Sequence, residues 1–188
     1  WRLAGGGEAS ADGRAAPRDR SVDAAWANAR VRVTPLFSPK DLLPPGAEWD
    51  LPRLVAAIDA ARGRVFVQLL SYRATDRDGR PFQELDRALR AAAARGVDVR
   101  LLVADWSKRE HALEGLLDLQ RSGVRVRFLA IPPAAEGEIP YARVAHAKYF
   151  VADDHLAWIG TSNWSGDYFY ASRNAGLLVE GDAFAQRL

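Results

Sequence analysis

The chain contains no cysteine. Disulfides and thiolate metal sites are therefore excluded, and the redox compartment is left open. Lysine is nearly absent: it occurs only at Lys40, Lys108 and Lys148, and arginine carries the rest of the positive charge. The net charge is +2, from 26 Lys and Arg against 24 Asp and Glu. That balance is not the one of a general nucleic-acid coat, so an anion site on this protein must be local. No apolar run approaches the ~20 residues that a bilayer-spanning helix needs. No signal-peptide pattern, interfacial amphipathic helix or internal repeat stands out in the sequence.

What is present suffices for one domain with a real core: 188 residues, 48% of them hydrophobic. Residues 1–29 are rich in Gly, Ala, Arg and Asp without an apolar period, and read as linker or loop. From residue 30 the pattern alternates. Val31 to Phe37 is strand-like. Asp50, Leu51 and Pro52 mark a helix start, with Asp50 as N-cap. That helix should reach about Arg62 and bury Leu54, Ile58 and Ala61. Further strands are expected at 65–72, 97–104 and 124–131. A helix opening at Pro81 and closed by Gly96, and another over 110–121, lie between them. Three more strands follow at 144–152, 155–160 and 175–180 with no helix between, which argues for antiparallel pairing. The expected fold is an α/β layered sandwich, with a mixed, largely parallel central sheet flanked by helices.

The chemistry concentrates between residues 146 and 163. In a strand, side chains two apart share a face, so His146 and Lys148 should point the same way about 6–7 Å apart. A phosphate can sit across both, with Lys148 as a compact point charge and His146 as a nucleophile or acid near neutral pH. Asp153 and Asp154 turn the chain. Gly160 permits close approach of backbone or ligand, and Thr161 and Asn163 can donate to phosphate oxygens from the strand end, with Ser162 between them. His146, Asp153, Asp154 and His155 are also metal-ligand types, but adjacent carboxylates in a turn are common without a metal. Trp106, Trp158 and Trp164 read as packing residues, with Trp164 placed to line a groove beside Asn163.

Together these residues spell His-x-Lys-x4-Asp-x6-Gly-Thr-x-Asn. The pattern resembles the signature of the phospholipase D superfamily, whose second part is usually Gly-Ser-x-Asn; Thr161 keeps the hydroxyl. The flanks 139–144, 159–166, Tyr168-Phe169 and 177–179 resemble one branch of it, the endolysosomal phospholipase-D-like 5′ exonucleases of animals and their bacterial and viral relatives. The likeness runs from about Val31 onward and is to the second, C-terminal half of such two-lobed proteins.

Several expectations follow from the resemblance. Residues 30–188 form a phospholipase D-like lobe cut short in its C-terminal helix, and residues 1–29 are a linker from a missing N-terminal lobe that carries the first motif. The activity is a phosphodiesterase working through a phosphohistidine, without metal or cofactor. His146, Lys148, Asp153 and Asn163 are the catalytic set, and Gly160, Thr161 and Ser162 contact substrate. The substrate is a phosphodiester, single-stranded nucleic acid first and phospholipid second. The second His-Lys pair comes from the missing lobe or from a homodimer partner. A lobe that only binds phosphate is the remaining alternative, should the upstream motif be degenerate. One departure stands out: many members carry a Glu eleven residues after the motif Asn to orient the His, and here that position is Asn174.

Overall fold

Strands with one face buried and one open alternate along the chain, and eight of them pair into a single sheet. The computed structural model describes residues 20–188, apart from residues 77, 109, 110, 138, 140 and 141 and the side chain of residue 111. The strands are β1 (Val22–Trp26), β2 (Ala29–Ser38), β3 (Arg64–Leu69), β4 (Asp98–Ala104), β5 (Arg125–Leu129), β6 (Tyr149–Ala152), β7 (Leu156–Gly160) and β8 (Asn174–Glu180). Their order across the sheet is β1-β2-β8-β7-β6-β3-β4-β5. β3, β4 and β5 run parallel, and every other neighbouring pair is antiparallel. The sheet is mixed, as expected, but mostly antiparallel rather than largely parallel: only β3–β4 and β4–β5 pair in parallel, in the part where helices join neighbouring strands.

The helices are α1 (Asp50–Ala60), α2 (Glu84–Ala94), α3 (His111–Arg121), α4 (Gly166–Tyr170) and α5 (Asp182–Ala185). Leu51, Leu54 and Ile58 of α1 and Leu85, Ala88, Leu89 and Ala92 of α2 recur at helical spacing and are buried. They pack on the inward residues of β3, β4 and β6, including Val65, Val67, Leu101 and Phe150. α2 stops where Gly96 takes φ +86°, a left-handed conformation that suits glycine. α5 packs on the other face, where Ala185 meets Val151 and Ala157.

Three further expectations change. Residues 22–26, assigned to the linker, form edge strand β1; its register on β2 pairs Val22 with Val33 and Trp26 with Ala29. The earlier residues of that linker, up to Asp19, lie outside the described residues. Asp50 does not cap α1: Trp49 is the N-cap residue, with no side-chain cap bond, and Asp50 is the first helical residue with its side chain buried. The strand expected over 144–152 begins only at Tyr149. Beyond Leu69 the chain of β3 engages the turn after β7 instead: Tyr72 bridges Trp164, and the Trp164 N–H donates to Ser71 O. Residues 144–148 therefore lose their β3 partner. The β7 side still holds them, through Gly160 N–H to Lys148 O at 3.1 Å.

The registers bring five strand ends to one end of the sheet. Gln68 faces Tyr149, Tyr149 faces Ile159, Gly160 faces Gly176, and Ser38 faces Asn174. The C-terminal ends of β2, β3 and β7 thus meet the N-terminal ends of β6 and β8. At the centre of this region the buried Trp158 indole lies across two glycines. A Cβ on Gly160 would stand 2.3 Å from Trp158 Cζ2, and one on Gly176 would stand 2.5 Å from Trp158 Nε1. Gly176→Ala should accordingly destabilise the fold by about 1–3 kcal/mol or more, as overpacking does in a close-packed core. Urea unfolding at constant m-value checks it; a change below a few tenths of a kcal/mol would show that the ring can move aside.

Candidate active site

His146 and Lys148 meet just before β6, at the end of the sheet where the five strand ends converge. The His146 ring is exposed, whereas Lys148 is buried. Lys148 Nζ donates to His146 O at 2.7 Å and lies 3.2 Å from Nδ1 and 3.3 Å from Nε2 of the same ring. Burial lowers the Lys148 pKa from its ordinary value. The pair was expected side by side on a strand; it is brought together instead by the ammonium folding back onto irregular backbone. An incoming phosphate oxygen would find an imidazole and an ammonium within one contact of each other.

The turn after β7 supplies the neighbouring wall. Thr161 is exposed, and its hydroxyl donates to Asn174 Oδ1 at 2.9 Å while accepting from the Ala175 N–H at 3.2 Å. Asn163 is buried: its Oδ1 accepts from the Ser71 N–H at 3.2 Å, and its Nδ2 donates to the Tyr168 hydroxyl at 2.9 Å. It forms the floor of this end rather than its rim. Ser162 points inward, away from any ligand, and donates to Asp50 Oδ2 at 3.4 Å. Gly160 clears room for the Trp158 indole, not for a ligand. Trp164 is fully buried in the core and lines no groove.

Asp153 is not part of this cluster. It follows β6, at the opposite end from His146, with the whole strand of about 13 Å (~3.3 Å per residue) between them. Its φ is +52°. Its carboxylate accepts from the N–H groups of Arg62, Gly63 and Arg64, at 3.1, 2.7 and 3.0 Å. Burial pushes its pKa up, but the N–H groups of Arg64, Gly63 and Arg62 outweigh that, and the net shift is downward. The residue clamps the α1–β3 connection to the β6–β7 turn. His146 and Asp153 therefore form no common metal site.

Asn174 occupies the place where the resemblance led to an expected Glu, and its geometry shows what it does there. Its Nδ2 donates to Tyr168 O at 2.9 Å and to Ser172 O at 3.1 Å, while its Oδ1 takes the Thr161 proton. A carboxylate has no hydrogens for the first two contacts. The side chain holds Thr161, with no hydrogen bond to His146 among the described residues.

Sequence reasoning missed Asp50, Ser38 and Tyr168. Tyr168 was noted only as a flank residue, yet both its hydroxyl and its carbonyl anchor the site end. Nothing local marks Ser38, which arrives across the sheet. Asp50 carried a signal that pointed elsewhere, since an Asp before a helical run normally caps it.

The chain is similar to known proteins in sequence and in fold. The family profile described as cardiolipin synthase, PLD-like domain, matches residues 54–188. Over 155 residues the chain is 36% identical to the 5'-3' exonuclease PLD3 of Homo sapiens, covering 76% of this chain and 31% of that protein. Over 169 residues it is 34% identical to a probable phospholipase D of Caenorhabditis elegans, covering 80% of this chain and 30% of that one. The chain thus spans about a third of the length of the curated relatives it matches. Among solved structures, NucT from Helicobacter pylori aligns with TM-score 0.65 at 22% identity, over 84% of this chain and 90% of that one. The phospholipase D family member Nuc from Salmonella typhimurium aligns with TM-score 0.63 at 18% identity, over 84% and 88%. At these identities the structural likeness is one of fold.

The geometry also sets a pH dependence. Burial raises the Asp50 pKa from 3.8 to about 7. The folded state therefore keeps a proton that the unfolded state releases near pH 4. Stability from this group is complete below that pH, falls as pH rises from about 4 to 7, and is gone above. Urea unfolding across that window should show Asp50→Asn gaining on the unsubstituted protein as pH rises. Parallel curves would mean that Asp50 titrates normally.

Proposed function

The chain belongs to the phospholipase D family, and from that premise we propose that it is the C-terminal half of a metal-independent phosphodiesterase that degrades single-stranded nucleic acid. The observation that carries this reading is the Lys148–His146 contact, 3.2 Å at Nδ1, at an open sheet end. It is reinforced by the 36% identity to a 5'-3' exonuclease.

The chemistry takes two steps. A His ring nitrogen attacks phosphorus, and a P–N bond forms as the P–O bond to the leaving group breaks. A second His protonates the departing oxygen. That same His then removes a proton from water, whose oxygen displaces the first His and releases the phosphate. His146 takes one of these two parts. Lys148 neutralises the non-bridging oxygens, and the Thr161 hydroxyl can turn from Asn174 to donate to them. Asn163 supports the floor. The role left to Asp153 is to anchor the turn beyond β6.

One His-Lys pair per chain leaves the second pair to be supplied from elsewhere. We assign it to an upstream lobe of the same protein, and a two-fold homodimer is the other source. The reading predicts that the 188-residue chain alone is inactive. Activity of the purified chain that scales with dimer concentration would replace the upstream lobe by a second copy.

The lipid reading has its own support, in the probable phospholipase D of Caenorhabditis elegans. Head-group release from phospholipid vesicles without nuclease activity would select hydrolysis or transphosphatidylation of lipid. A lobe that only binds phosphate would follow from an upstream motif lacking its His or Lys. For the nuclease reading, the full-length protein should degrade labelled single-stranded DNA in EDTA. His146→Ala should lower that rate by at least about 10³-fold, as removal of a central catalytic group does. A strict need for a divalent metal would overturn the reading.

A further inference from the structure

A carboxyl group lies directly behind the turn that carries Thr161 and Asn163. Asp50 opens α1, yet its side chain is 1% exposed. Ser162 donates to its Oδ2 at 3.4 Å, and the Ser38 hydroxyl at the end of β2 also faces it. Its Oδ1 has no protein partner. A leucine would fill similar space without an unpartnered oxygen, so packing alone gives no reason for an acid here.

The neighbours define what the acid does. Ser38 has one hydroxyl proton, which goes to Tyr168 O at 2.9 Å. Toward Asp50, Ser38 can then only accept, and a neutral carboxyl supplies the donor that a carboxylate lacks. The same Tyr168 carbonyl accepts from Asn174 Nδ2, whose Oδ1 receives the Thr161 proton. The Tyr168 hydroxyl accepts from Asn163 Nδ2. The polar network that Ser38 enters thus reaches both side chains that flank Ser162, and Ser162 itself is bonded to Asp50.

We propose that Asp50 is a positioning residue for this turn, fixing Thr161 and Asn163 from inside the helix layer through Ser162, Ser38 and Tyr168. The inference rests on the reading of this sheet end as a phosphate site. The groups of the network that face Asp50 are the Ser38 and Ser162 hydroxyls and the first N–H groups of α1, all uncharged. The neutral acid is the form that completes it.

Two substitutions separate positioning from packing. In the full-length protein, Asp50→Asn keeps the shape and the hydrogen bonds, and should stay within about threefold of the original kcat. Asp50→Leu, shown folded by circular dichroism and thermal unfolding, should lose kcat on the order of 100-fold with a smaller change in KM. Unchanged kcat in Asp50→Leu overturns the proposal, as does an equal loss in both variants. Should Asp50→Leu not fold, Ser162→Ala tests the same link and should lower kcat by about tenfold; unchanged kcat there overturns it as well. If the unsubstituted protein cleaves no phosphodiester, the functional reading has failed and NMR of the 188-residue chain decides the positioning role alone. The Thr161 amide and the Asn163 and Asn174 side-chain NH2 signals, with and without inorganic phosphate, should move in Asp50→Leu and stay in Asp50→Asn. Signals that stay in both overturn the proposal.

Discussion

The Trp158 indole lying across Gly160 and Gly176 is the contact on which the functional end depends. The two glycines face each other in the β7–β8 register, and the ring fills the space that neither side chain occupies. A shift of one residue would put a side chain into the ring and send every neighbour to the other face. With the register held, Thr161 leaves β7 opposite the start of β8, where Asn174 can take its proton. Gly160 also donates to Lys148 O, so the same strand sets where the lysine backbone stands.

The sheet divides its labour between its two ends. At one end the strand termini present His146, Lys148 and Thr161, with few regular backbone bonds to constrain them. At the other, the Asp153 carboxylate takes three consecutive N–H groups and Arg64 pairs with Asp154. The short motif therefore joins the pair proposed for the chemistry to a residue that holds a turn. Its spacing reflects the length of β6, which keeps the clamp on Asp153 remote from His146.

Polar groups buried beneath the open end hold it in shape. Asn163, Ser162 and Asp50 are each about 1% exposed, so each must find partners within the protein or leave them missing at a cost. Such networks rigidify a site when satisfied, because no water competes for their bonds. Tyr168 serves as the junction, with its carbonyl and hydroxyl used separately. Asn174 joins it with donors that a glutamate could not supply.

Apolar periodicity, glycine punctuation and one spaced motif let the sequence by itself determine the strand and helix order, the alternation that makes an α/β sheet, and the family. These signals are local, and each is carried by residues within a turn or a few strand positions of one another. Edge strand β1 escaped because it is short and little buried, so it shows no apolar pattern. The partners of His146, the inward turn of Ser162 and the burial of Asp50 were decided only by tertiary structure. Ser38, Asp50, Ser71, Ser162 and Tyr168 come from five separate segments, and no periodicity in any one of them encodes which of the others it will meet. Asp50 shows the reason most plainly: its local environment suits a helix cap, and only the packing of α1 against β2 and the β7 turn makes it an acid enclosed in the core.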